Sequence, residues 1–205
     1  MNIEDTSNMI LEKYLVNQIL ERPFIVGIDG LGGSGKTTLA KKLHQYLHMQ
    51  NFEVIMVSMD DHIVETKKRY ETGHPEWYEY YYLQWDIEML RKDLFCKLHH
   101  NYSELSLPFY DKQSESISTK NIKVNPQAVF LIEGIFLQRK EWKKYLDFVI
   151  YIDCPYELRV ERVLNRDLYI GDYKSRLNKY KKRYWLGEDY YLEKVNPQKI
   201  ADLIL

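Results

Sequence analysis

Eight consecutive residues, Gly30-Leu31-Gly32-Gly33-Ser34-Gly35-Lys36-Thr37, fit the pattern G-x-x-x-x-G-K-[ST]. Their types suit capture of a phosphate chain. Glycines let the backbone turn so that successive N–H groups aim at one anion. Lys36 adds a positive charge at the β/γ end, and the Thr37 hydroxyl is a hard oxygen ligand for Mg²⁺. Gly30, Gly32, Gly33, Ser34, Gly35, Lys36, Thr37 and Thr38 are therefore expected to hold a nucleotide such as ATP.

Acidic and basic residues elsewhere could complete a phosphoryl transfer. That reaction needs charge neutralisation, a metal ion and an acceptor hydroxyl held in line. Asp60 and Asp61 follow the apolar run Val54-Ile55-Met56-Val57, and either could accept or orient the hydroxyl proton. Glu133 closes a second apolar run, Ala128 to Ile132, and could sit on the Mg²⁺ side through water, with Thr37 and Asp60 as the other candidate metal ligands. The plain reading of both is a polar turn or a helix cap. Arg159, Arg162 and Arg166 stand three and four residues apart and share a helix face. Facing the phosphates, they would form a lid that neutralises charge in the transition state. Arg162 and Arg166 are the better candidates, being further from the strand end. The plain alternative is a solvated face paired with Glu157 and Glu161.

The elements needed to position these groups are legible. Residues 3–20 have the apolar spacing of a lead-in helix, ended by Pro23. Residues 24–29 read as the first strand, and 35–50 as a helix with Leu39, Leu43, Tyr46 and Leu47 on one face. Strand, glycine loop and helix N-terminus form the context an anion site needs. Further strands are expected at 53–58, 128–132, 148–152 and 200–205. Helices are expected at 86–99, from Pro155 past Arg166, and at 174–185, with a hairpin or long loop over 101–125. Buried runs alternating with helices indicate a parallel sheet covered on both faces. Asp60, Glu133 and Asp153 stand at the carboxyl ends of its strands, where ligands bind in such sheets. We expect an α/β phosphate-loop domain over residues 23–205, preceded by the helix of residues 1–22. Residues 59–125 form its acceptor-binding region and 155–185 its lid region.

Bulk properties narrow the classes. The chain of 205 residues has 29 basic and 30 acidic side chains, a balance that argues against nucleic acid as a partner. The longest apolar runs are too short to span a membrane, and no basic region followed by an apolar stretch opens the sequence. Cys96 and Cys154 lack metal-type spacing and read as reduced buried thiols of a cytoplasmic protein. Tyrosine is abundant and clusters at 77–85 and 180–191. The first cluster reads as packing or a homo-oligomer contact, with pocket lining by Trp77 as the functional alternative. The second interleaves basic residues from Lys179 to Trp185 and reads as a solvated helix face.

Together, Ile28-Asp29-Gly30 through Thr38, Ser58-Met59-Asp60-Asp61, Leu107-Pro108-Phe109-Tyr110-Asp111, Ile132-Glu133-Gly134 and Arg162-Val163-Leu164-Asn165-Arg166-Asp167 resemble the uridine/cytidine kinase family. That family lies within the wider group holding phosphoribulokinase and pantothenate kinase. The resemblance implies a nucleoside triphosphate hydrolase fold with about five parallel strands ordered 2-3-1-4-5, a small lid, and Mg·ATP as donor. It implies Asp60 as base, Glu133 on the Mg²⁺ side, Arg166 in the lid, and Tyr110, with Asp61 and His74, in the acceptor pocket. Three departures fall on acceptor-reading positions. Gly73 precedes His74-Pro75 where the family has aspartate. Glu115 stands near the family's base-reading histidine. Tyr169-Ile170-Gly171-Asp172 replaces the run with a second lid arginine.

The expected function is transfer of the ATP γ-phosphate to a hydroxyl of a small nucleoside-like acceptor. Pantothenate, a sugar or a nicotinamide-type riboside are alternative acceptors. A nucleotide-binding regulator with little turnover is the rival of a different class, and a nucleic-acid-stimulated ATPase is a third.

Overall fold

The computed structural model describes residues 2–205. Five parallel strands form its central sheet: β1 (Phe24–Gly30), β2 (Val54–Ser58), β5 (Val129–Glu133), β6 (Phe148–Ile152) and β7 (Leu203–Ile204). Their spatial order is β2-β5-β1-β6-β7. Counted along this sheet alone, that is the expected 2-3-1-4-5. An antiparallel hairpin of β3 (Glu104–Asp111) and β4 (Ser116–Lys123) stands outside it, as the polar stretch over 101–125 allowed.

Alternation within the buried strands supplies two cores. Ile25, Val57, Phe130 and Ile132 face one side, and Val26, Ile28, Val129, Leu131 and Ile150 face the other. The second core is closed by α1 (Ile3–Asn17), through Ile10 and Tyr14, and by α2 (Lys36–Met49), through Ala40, Leu43 and Leu47. The first is closed by α3 (Glu76–Tyr82), α4 (residues 87–99) and the hairpin. Beyond β6 come α5 (Tyr156–Arg166) and the long α6 (residues 173–195).

Several sequence expectations need correction. The helix after Pro155 stops at Arg166, because Asp167 leaves helical geometry and its carboxylate is taken by Arg166 and Tyr180. The next helix does not end at Trp185 but runs to Val195 through a widened π-type turn at Tyr180–Tyr184. The last strand is only Leu203–Ile204, since Pro197 starts a helical turn over Pro197–Ile200. The face from Lys179 to Trp185 is not wholly solvated: Tyr180 and Arg183 are buried. The two thiols are free as expected but half-buried, Cys96 on α4 and Cys154 before α5. Among the described residues no helix is long and apolar enough to cross a membrane.

Candidate active site

Strand β1 feeds directly into the phosphate loop, and α2 begins at Lys36. Gly35 caps that helix at φ +102°, a left-handed conformation that L side chains rarely adopt. Gly33, at φ +78°, also lies so close to α5 that a Cβ would fall 2.8 Å from the Arg159 carbonyl oxygen. The Lys36 ammonium lies across the loop and donates to the Leu31 carbonyl at 3.0 Å.

Three elements converge on Glu133 at the end of β5. The Thr37 hydroxyl donates to its Oε1 from 3.1 Å, and the Ser58 hydroxyl from 2.6 Å. This is an all-oxygen set of one carboxylate and two hydroxyls, the donor type Mg²⁺ takes. Among the described residues no group of three or more His, Cys, Asp or Glu side chains could hold a metal ion. A Mg²⁺ ion keeping several waters and phosphate oxygens needs no such cage.

The phosphate loop from Gly32 to Thr38 lines a crevice of about 960 Å³. Asp60, Glu133, Arg162 and Arg166 line the same crevice, so five sequence-picked groups meet there despite their separation in the chain. Gly30 lies behind the lining, its N–H donating to the Asp29 carboxylate at 2.8 Å. Four acceptor-side candidates are not in the lining. His74 stacks on Tyr78, ring centroids 4.4 Å apart, at the exposed start of α3. Trp77 packs on Tyr190 of α6 at 5.0 Å. Tyr110 is buried on β3 of the hairpin, where its hydroxyl donates to Glu115 at 2.5 Å; Thr66 donates to the same carboxylate. Asp61 is half-buried beside Asp60 on the 3₁₀ turn Met59–His62.

The three arginines of α5 have different fates. Arg162 donates to the Gly33 carbonyl oxygen at 3.1 Å, and Arg166 pairs with Asp167 at 2.6 Å while bordering the crevice. Arg159 is neither a free lid group nor solvated with Glu157 and Glu161. It is buried against Glu188 of α6 at 2.8 Å. Glu188 in turn accepts the Gly32 N–H at 2.8 Å. Burial pushes the Glu188 carboxyl above its usual range, opposed chiefly by the Arg159 charge. Asp29 is a second buried acid behind the loop, accepting from Tyr191 at 2.5 Å and Gln138 at 3.0 Å. Its carboxyl is also pushed up by burial. No motif marks Glu188. Asp29 lies inside the Ile28-Asp29-Gly30 run but reads only as a strand end.

The turn carrying Asp60 is tied to the hairpin by His62, whose Nδ1–H donates to the Pro108 carbonyl at 2.6 Å. Burial lowers the imidazole from its ordinary 6.5, against the pull of that bond and of Asp61. In the unfolded chain His62 binds its proton first as pH falls. Folding stability is therefore lost from the ordinary value downward until the folded imidazole also titrates. His62→Gln should remove that slope. The stability gap between wild type and variant, measured by urea unfolding, is expected to narrow between about pH 7.5 and about pH 5. A constant gap would rule out a neutral buried imidazole here.

The family model for phosphoribulokinase / uridine kinase matches residues 25–171. The chain belongs to that family. A uridine kinase of Limosilactobacillus reuteri is 29% identical over 154 residues, covering 72% of this chain. The chain spans only 66% of that relative's length. A solved chain from Bacillus stearothermophilus, described as a possible uridine kinase, is 42% identical. It aligns over 100% of both chains with a TM-score of 0.79. A chain from Silicibacter sp. TM1040, provisionally assigned as a fructose transport system kinase, has a TM-score of 0.83 at 20% identity. It covers 100% of this chain and 99% of its own, a likeness of fold alone. Family membership and the phosphate-loop fold thus agree with the sequence motifs.

Proposed function

We propose that this protein is an ATP-dependent phosphotransferase acting on a hydroxyl of a small, nucleoside-like acceptor. The observation that carries the reading is the single crevice shared by the phosphate loop, Asp60, Glu133 and the arginines Arg162 and Arg166. At about 960 Å³ it stands at the upper end of small-molecule sites. The likeness to uridine kinases supports a nucleoside-like acceptor.

In this reading the loop N–H groups from Gly32 to Thr38 and the Lys36 ammonium bind the phosphates. Thr37 and, through water, Glu133 would hold Mg²⁺, which neutralises phosphate charge when bound. Asp60 takes the acceptor hydroxyl proton as the oxygen bonds to the γ-phosphorus. The β,γ-bridging bond breaks and ADP leaves with its electron pair. Arg162 and Arg166 offset charge on the phosphoryl oxygens and exclude water as the lid region 155–185 closes. Asp61 and Tyr110 belong to the proposed acceptor region 59–125. The Tyr110 hairpin is joined to the Asp60 turn through His62. His74 and Trp77 are assigned to packing, because their rings face Tyr78 and Tyr190 instead of the crevice.

The test is ADP release from Mg·ATP with pyrimidine and purine nucleosides, nicotinamide riboside, pantothenate and simple sugars. At least one hydroxyl acceptor should stimulate release, a pyrimidine nucleoside foremost. Lys36→Ala should lower the stimulated rate by about 10²–10³-fold with the fold intact by circular dichroism. Tight nucleotide binding with no stimulation by any acceptor would favour a regulator. A Lys36→Ala variant as fast as wild type would remove the phosphate loop from the reaction.

A further inference from the structure

Helix α3 places one aromatic side chain in the crevice that no motif marks. Its residues Trp77 and Tyr81 turn toward Tyr190 of α6. Tyr80, three residues beyond Trp77, lines the crevice together with Gly32, Lys36, Asp60 and Glu133. Its ring is wedged edge-on against Phe136 at 5.2 Å and Tyr184 at 4.9 Å. Gly187 of α6 allows this approach, since a Cβ there would meet Tyr80 Cδ1 at 2.9 Å. The next residue, Glu188, holds the Gly32 N–H, so the ring abuts the segment that grips the phosphate loop.

Tyr80 is 8% exposed; its hydroxyl makes no hydrogen bond among the described residues and is not sealed within protein, since the residue lines the crevice. Four other buried tyrosines, Tyr14, Tyr110, Tyr180 and Tyr191, donate theirs to oxygens, whereas Tyr151, 1% exposed, makes no such bond among the described residues. A phenylalanine would fill the aromatic cage equally well without a polar atom to satisfy. On the crevice wall, without a protein partner, the hydroxyl is free to bond a polar group of the ligand.

We propose that the Tyr80 hydroxyl donates a hydrogen bond to the phosphoryl group being transferred. The assignment rests on the kinase reading, since it takes the γ-phosphoryl to lie between Lys36 and Asp60. Tyr80 borders the crevice that both residues line. Burial, with the charges of Glu188 and Asp60 acting the same way, holds the phenol well above its usual range. The group is therefore a neutral donor at physiological pH, suited to an anionic oxygen and unsuited to acting as a base. No proton is transferred in this role.

Calorimetric titration of the full chain with Mg·ADP, and with Mg·ADP plus beryllium fluoride, separates the outcomes. Beryllium fluoride supplies a mimic of the transferred group without requiring an acceptor. Tyr80→Phe should bind Mg·ADP like wild type and the fluoroberyllate complex about 10–100-fold more weakly. Gly187→Ala, which pushes the ring aside without touching its hydroxyl, should show the same selective loss. Equal fluoroberyllate affinity in Tyr80→Phe and wild type would overturn the proposal. So would an equal loss for Mg·ADP alone, which would make Tyr80 a wall of the crevice. If wild type binds neither, the kinase reading itself fails and the Tyr80 role falls with it.

Discussion

Replacing Asp60 by asparagine is expected to lower kcat by about 10²–10⁴-fold while the KM for ATP moves only a few-fold. The substitution keeps the size of the side chain and removes its capacity to take a proton. Asp60 is exposed on the crevice wall, on the first turn beyond β2. Ser58, two residues earlier, bonds Glu133, so this strand end abuts the proposed metal side without Asp60 being consumed by it. No protein hydrogen bond to the Asp60 carboxylate occurs among the described residues, so nothing in the fold competes for the acceptor hydroxyl. A pure loss in kcat is what a base predicts, because ground-state ATP binding does not use it. Should ATP affinity and rate fall together, Asp60 would instead be a ligand of the metal or phosphates. Steady-state kinetics with the best acceptor, alongside calorimetry with Mg·ATP, distinguishes the two.

The parts of this site legible in the sequence are those whose chemistry is local. A phosphate loop needs its glycines, lysine and threonine in one contiguous run, so Gly30 to Thr37 declares itself. Glu133 was readable as a candidate because it directly ends an apolar run, and Asp60 because it stands two residues past the end of the strand expected at 53–58; strand ends face the ligand in a parallel sheet. The contacts that hold the loop in shape are not local. Glu188 reaches Gly32 across 156 residues and Arg159 across 29. Nothing in the spacing of α5 or α6 announces that their facing sides carry opposite charges. The arginine ladder looked uniform, yet one helix face carries a buried arginine, one bonded to a loop carbonyl and one at the crevice edge.

The aromatic cluster shows the same boundary. Helical spacing on α3 says that neighbouring tyrosines point in different directions, but which of them meets the crevice depends on the rotation of α3 against α6. That rotation is set by Gly187, where the missing side chain admits the Tyr80 ring, and by Trp77 packing on Tyr190. The consequence for function is a mechanical one. Helix α6 holds the loop through Glu188 and supports Tyr80 through Gly187. Helix α5 holds the loop through Arg159 and Arg162. The phosphate loop, the proposed lid helix α5 and the aromatic wall are therefore parts of one packed unit.

That unit depends on an ion pair between α3 and α6, and breaking it is expected to cost about 3–5 kcal/mol. Arg183 and Glu79 are 0% and 2% exposed, with Nη1 and Oε2 2.9 Å apart. The guanidinium also donates to the carbonyl oxygens of Glu76 and Arg69 and lies 4.0 Å from the centroid of the Tyr70 ring. The other carboxylate oxygen accepts from the Thr72 N–H and hydroxyl at 2.8 and 2.9 Å. Arg183→Met would leave the Glu79 charge buried without its counter-ion. For a domain of this size the expected fall in melting temperature is about 6–20 °C. Adding Glu79→Gln removes the stranded charge and keeps an oxygen for Thr72. The double variant should therefore regain much of the loss, as buried pairs replaced together often do. Denaturant unfolding of the two single variants and the double closes the cycle. If the double is as unstable as Arg183→Met, then lost contacts of the arginine, and not an unpaired charge, dominate. Because α6 carries Glu188, which holds the Gly32 N–H, Arg183→Met should also weaken Mg·ADP binding, and the double variant should restore it.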